Sequence, residues 1–187
     1  CVEHRGPFPE MKDWVWDKAM SGGAIVEKNC HHYDILDLWV QSEPTTVYAT
    51  GGVAEPMAYG KYPTEIVDNA WVVNDYACGA RAMVGIGFLA GERRHSREFG
   101  VVGTEAKVWF SLDDDETLHV QPRKGEPSEV RVDGVLRGGL FRDFVDCILT
   151  GAAPLVCAER GRRSMLVPLA AERSIEERRA VHVSELA

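Results

Sequence analysis

Between residues 45 and 132 the chain is cut into seven short segments rich in β-branched and aromatic residues: 45–51, 69–76, 81–90, 98–102, 106–112, 117–121 and 129–132. Turn signals such as Cys78-Gly79, Gly103-Thr104 and Asp113-Asp114-Asp115 separate them. Short strands at this spacing can pair only with near neighbours, so the pattern predicts an antiparallel meander. One long helical pattern, 24–41, precedes the strands, with Ile25, Ile35, Leu38 and Trp39 in phase. Ser21 is its expected cap, and Pro44 lies just past its end. Two more helical patterns, 139–149 and 157–179, follow the strands, and 180–183 reads as a last strand. Residues 1–22 read as irregular. Helix, then strands, then helices predicts an α+β fold: an open, mostly antiparallel sheet with helices packed on one face.

Composition narrows the function classes. At 187 residues, 45% hydrophobic and 27% charged, the chain is sized for one domain with its own core. A net charge of −8 leaves no basic surplus for phosphates, which argues against a nucleic-acid partner. No run of 18 apolar residues is present, so no membrane partner is expected, and no leader is visible. Cys1, Cys30, Cys78, Cys147 and Cys157 are odd in number and scattered, which suits reduced thiols and a cytoplasmic location. The chain starts at Cys1 rather than Met and is expected to be a piece of a longer protein.

The segment richest in chemistry is Val26-Glu27-Lys28-Asn29-Cys30-His31-His32-Tyr33-Asp34. Glu27, His31, Asp34 and Leu38 share one helix face, ionisable in its first turns and apolar later. A carboxylate beside an imidazole raises the imidazole's proton affinity and orients it, as proton transfer requires. The plainer alternative is a surface Glu–His pair worth a few tenths of a kcal/mol, and spacing alone favours it. Cys30, His31, His32 and Asp34 are all competent metal ligands, but neighbours on a helix point about 100° apart and cannot meet at one ion. No metal site is assigned, although a metal-dependent hydrolase remains a third alternative. Gly85-Ile86-Gly87-Phe88-Leu89-Ala90 matches G-x-G-x-x-A, but the charged run 92–97 that follows has no helical period. It is set aside as a cofactor site. Arg93, Arg94 and Arg97 read as a solvated basic turn, and Asp113–Glu116 as a solvated acidic one. Lys12 and Trp14, with Trp16, could form a sugar-contacting patch, or the tryptophans could be packed.

The order of several pieces carries a resemblance. Glu3-His4-Arg5, Pro7-Phe8, Lys12, Trp14, Gly22-Gly23, then Glu27-Lys28-x-x-His31-x-x-Asp34, resemble the part of the Gfo/Idh/MocA oxidoreductases that follows their Rossmann domain. Asp68 through Ala82, Gly103-Thr104-Glu105-Ala106, Phe144, Ile148, Gly151 and Pro154, and Leu169 through Glu176 continue the match over nearly the whole chain.

The resemblance implies a single C-terminal substrate-binding and oligomerisation domain, residues 1–187, whose open sheet face pairs with another subunit. It implies an NAD- or NADP-dependent parent acting on a sugar or polyol, with the dinucleotide held by the missing Rossmann domain and not by this chain. By the same resemblance His31 takes the substrate hydroxyl proton and Glu27, where the family usually has Asp, orients it. Lys28, Lys12, Trp14 and Arg5 are the expected substrate-binding set. The family's Glu-Lys-Pro motif is absent, since Asn29 follows Glu27-Lys28. A non-enzymatic sugar-binding or subunit-pairing module is the alternative function.

Overall fold

The computed structural model describes residues 1–4, 13–54, 65–88, 96–113, 117–131 and 139–186. Its frame is one sheet: β1 (Val2–His4), β2 (Pro44–Gly52), β3 (Asn69–Tyr76), β4 (Arg81–Gly87), β5 (Ser96–Val102), β6 (Ala106–Ser111), β7 (Thr117–Pro122), β8 (Ser128–Arg131) and β9 (Val181–His182). The spatial order is β8-β7-β6-β5-β1-β4-β3-β2-β9. The helices are α1 (Lys18–Ser21), α2 (Ala24–Val40), α3 (Gly139–Thr150) and α4 (Ala158–Glu177). The fold is α+β and the sheet is mostly antiparallel, as predicted.

The meander holds within two blocks, β2-β3-β4 and β5-β6-β7-β8, but not across them. β1 inserts between β4 and β5, antiparallel to β5 and parallel to β4, with Glu3 opposite Ile86 and Arg97. The sequence reading took residues 1–22 as irregular and missed this strand. Three residues, two of them polar, carry no period that local pattern can detect. A 3-10 turn, Asp13–Trp16, and α1 also lie in that region.

Strand alternation sets the core. On β3, Ala70, Val72, Asn74 and Tyr76 point inward while Trp71, Val73 and Asp75 point outward. Val47 on β2 and Val84 on β4 complete the inner layer with Val72, all three fully buried. Each stabilises the fold by about 1.5–3 kcal/mol. On the outer face Gly85 accommodates the Trp71 ring, which lies where a Cβ would meet it at 2.5 Å.

α2 and α4 cover the inner face. The buried stripe of α2 includes Ile25, Asn29, His32, Tyr33 and Leu36. This corrects the expected stripe: Leu38 is half exposed, and of the expected set only Ile25 is fully buried. The face carrying Glu27, His31 and Asp34 therefore does not become a packed one at its far end. α4 ties to the sheet through Ser174, whose hydroxyl accepts the Ala49 N–H at 2.9 Å and donates to the Arg179 carbonyl at 2.6 Å. No described helix is long and apolar enough to cross a membrane.

Candidate functional site

The site is built on the first half of α2, and three elements fix where that helix begins. Gly22 and Gly23 have φ of +76° and +97°, a region open mainly to glycine. Gly22 closes α1 and Gly23 opens α2. Gly23 makes no side-chain cap, and the expected cap, Ser21, belongs to α1, its hydroxyl accepting the Gly23 N–H at 3.1 Å. The Glu172 carboxylate of α4 stands against Gly23 instead, so close that a Cβ there would lie 2.7 Å from Oε1. An anion at this end of a helix is favourable. Lys18 of α1 pairs with Glu172 at 3.0 Å, while burial raises the Glu172 pKa.

One turn on, the Glu27 carboxylate is bridged by Lys28 Nζ, 2.9 Å from Oε2 and 3.2 Å from Oε1. The sequence reading joined Glu27 to His31; the structure joins it to Lys28, the nearest cation on a flexible stem. Both line a crevice with Val15, Trp16, Ala24, Ile66 and Phe88, with room for about 10 Å³. His31 is exposed on the same helix. Asp34, a turn further, accepts two bonds from Arg160 of α4, at 2.7 and 3.2 Å.

Trp16 lines the crevice and Trp14, 39% exposed, stands nearby in the same turn. Lys12 and Arg5 lie outside the described residues. Arg97, read as part of a solvated turn, instead sits in β5 and pairs with Asp113 at 2.8 Å; Arg93, Arg94 and 114–116 lie outside the described residues.

His32, which the sequence reading weighed only as a possible metal ligand, is buried. Its ring stacks on Phe99 at 5.3 Å and 15°, and its Nε2 lies 3.5 Å from Glu3 Oε2 on β1. Phe99 continues the stack to Phe110, and Trp39 meets both edge-on. Burial pulls the His32 pKa down, against the opposing pull of Glu3. The signal was present: His32 falls seven residues after Ile25 and four before Leu36, on the packed stripe.

The metal alternative dissolves in this geometry. Cys30 donates to the Glu27 carbonyl at 3.5 Å, His32 turns inward to Glu3, and Asp34 holds Arg160. No metal-competent cluster occurs among the described residues. The G-x-G-x-x-A run also fails as a phosphate loop. Gly85 and Gly87 are strand residues registered against β3 and β1, with the Trp71 ring across Gly85, so no backbone N–H cradle opens among the described residues of the run; Leu89 and Ala90 lie outside them.

Comparison with known proteins agrees with this architecture. The model of the GFO/IDH/MocA C-terminal domain matches residues 1–109. The chain belongs to this family. A myo-inositol 2-dehydrogenase of Thermotoga maritima is 24% identical over 197 residues, spanning 99% of this chain and 55% of that protein. Levoglucosan dehydrogenase, solved with NADH and levoglucosan, superposes with a TM-score of 0.84 at 19% identity, over 97% of this chain and 57% of that one. An aldose-aldose oxidoreductase of Caulobacter crescentus, solved with glycerol, gives 0.80 at 19% identity, over 97% and 54%. The structural likenesses establish the shared fold. The chain spans about half the length of these relatives.

Proposed function

We propose that this chain is the substrate-binding and subunit-pairing domain of an NAD(P)-dependent oxidoreductase that acts on a hydroxyl of a sugar or cyclitol. The observation that carries the reading is His31, exposed on α2 one turn beyond the Glu27–Lys28 pair, in a member of the GFO/IDH/MocA family. An exposed imidazole at this place can reach a ligand that a buried one cannot. Its role here is to hold and accept the proton of the substrate hydroxyl, a contribution typically worth about 10²–10⁴-fold.

Lys28 and Glu27, paired with each other along the crevice, are assigned to contact substrate hydroxyls. Trp14 offers an aromatic edge nearby. Lys12 and Arg5 complete the proposed substrate set. No residue of this chain is assigned to the dinucleotide. When bound in the parent protein, the dinucleotide supplies the hydride acceptor; it is assigned to the other half of the parent, and this domain alone is expected to be inactive. Whether the natural acceptor is NAD or NADP is a property of that half.

Pairing of copies is assigned to the outer sheet face, where Tyr48, Trp71, Val73 and Met83 stand about half exposed together. Apolar patches of this kind mark interaction surfaces. Five free thiols suit a reducing cytoplasmic setting.

The deciding experiment uses the full-length parent with NAD or NADP and a panel of sugars and cyclitols. His31→Ala is expected to cut turnover by about 10²-fold or more with little change in KM. Unchanged turnover overturns the role given to His31, and no turnover of any polyol by the wild type overturns the substrate class.

A further inference from the structure

α3 is the one long helix of the described structure that buries none of its residues. Its apolar side chains form a single stripe: Leu140, Phe141, Phe144, Val145, Ile148 and Leu149, spaced i, i+1, i+4, i+5, i+8 and i+9. Phe141 is 75% exposed and Phe144 61%. Arg142, Asp143 and Asp146 occupy the other side. A 12-residue helix in water is marginal on its own propensity and is normally held by burying its apolar face. The segment after it continues the exposure, with Leu155 and Val156 both open.

The segment that follows α3 is tied to the rest of the fold at Leu155. Arg160 binds the Asp34 carboxylate on α2 and also donates to the Leu155 carbonyl at 3.5 Å. Leu155 is thereby held beside Asp34, which shares a helix face with Glu27 and His31. The far end of this apolar run, at Leu155, is thus tied through Arg160 to the helix that carries the candidate site.

We infer that α3, with Leu155 and Val156, is the dock for the dinucleotide-binding half of the parent chain. The inference rests on the proposed function. Relatives that this chain matches along 97–99% of its length carry nearly as much chain again, since it spans only 53–57% of them. Covering two phenylalanines at these exposures buries roughly 200–300 Å². With the four aliphatic side chains the stripe approaches the lower end of interfaces between domains of one chain, roughly 600–1,500 Å². A second copy is the weaker occupant. The outer sheet face already offers copies a separate apolar patch on the side of the sheet opposite α2 and α4. The stripe also carries no charge to set the register of a self-complementary contact.

The test is hydrogen exchange on the full-length parent, as wild type, Phe144→Asp and Phe144→Leu, with NADH or NADPH binding followed by nucleotide fluorescence. The expected result is that α3 amides of the wild type exchange on the order of 100-fold more slowly than those of Phe144→Asp, at any protein concentration, while α2 and α4 stay protected in both. Phe144→Leu keeps the protection. Wild-type α3 amides that exchange freely while the dinucleotide binds overturn the dock. Protection of wild-type α3 that disappears on dilution overturns it in favour of a second copy. A wild type that binds neither dinucleotide overturns the functional reading itself, whatever the state of α3. If Phe144→Asp fails to fold, wild-type protection and its concentration dependence still decide between these outcomes.

Discussion

His32 lies flat against Phe99, 5.3 Å between ring centres, with its Nε2 3.5 Å from the Glu3 carboxylate. The contact links α2 to β1 and β5, the join at which the two meander blocks meet. Burial keeps the imidazole neutral-favouring, below its ordinary value of 6.5. The folded state therefore takes up this proton less readily than the unfolded chain. The stabilising contribution is fully present above about 6.5 and is lost as pH falls below it toward the lowered folded value. Urea midpoints should drop between pH 7.5 and pH 5.5. The slope should be smaller in His32→Gln, and an identical slope in that variant would show that His32 is not the group responsible.

His32→Ala removes the ring from the stack on Phe99 and its contact with Glu3. Truncating a large buried side chain typically costs about 2–5 kcal/mol. A loss of about 3 kcal/mol is expected by chemical denaturation, and a loss under 1 kcal/mol would refute the linking role.

Gly23→Ala should be costly for a backbone reason. A side chain at φ +97° is strained, and its Cβ would run into Glu172 Oε1 at 2.7 Å. A loss of about 1–3 kcal/mol is expected. Gly52→Ala is the control: a Cβ there meets nothing within 4 Å, so it should leave the melting temperature nearly unchanged.

Asp34 and Arg160 form a two-bonded pair that is only partly shielded from water, with side-chain exposures of 31% and 22%. A double-mutant cycle with Asp34→Asn and Arg160→Gln should return a coupling of about 1 kcal/mol, falling in high salt. Zero coupling would mean that α4 is held to α2 without this contact.

Met83→Asp places a charge in the outer apolar face, where Met83 is 52% exposed in the described chain. Light scattering should show loss of self-association, with thermal unfolding of the subunit little changed. Association that survives the substitution would move the pairing surface elsewhere.

The chain by itself determined most of the sheet and of the two covering helices. Alternation along 69–76 matched β3 to the residue, because each of its side chains has a fixed inward or outward address. The Glu27–His31 spacing placed both on α2, because helical phase is a local property. Tertiary structure decided what phase cannot. It put three polar-flanked residues into the sheet as β1, because the slot between β4 and β5 exists only once both are folded. It separated two adjacent histidines, sending His32 inward to Glu3 and Phe99 and leaving His31 in solvent, since a 100° turn between neighbours is the difference between core and cleft. It gave Glu27 to Lys28 and Asp34 to Arg160, partners that depend on reach and on α4 packing beside α2.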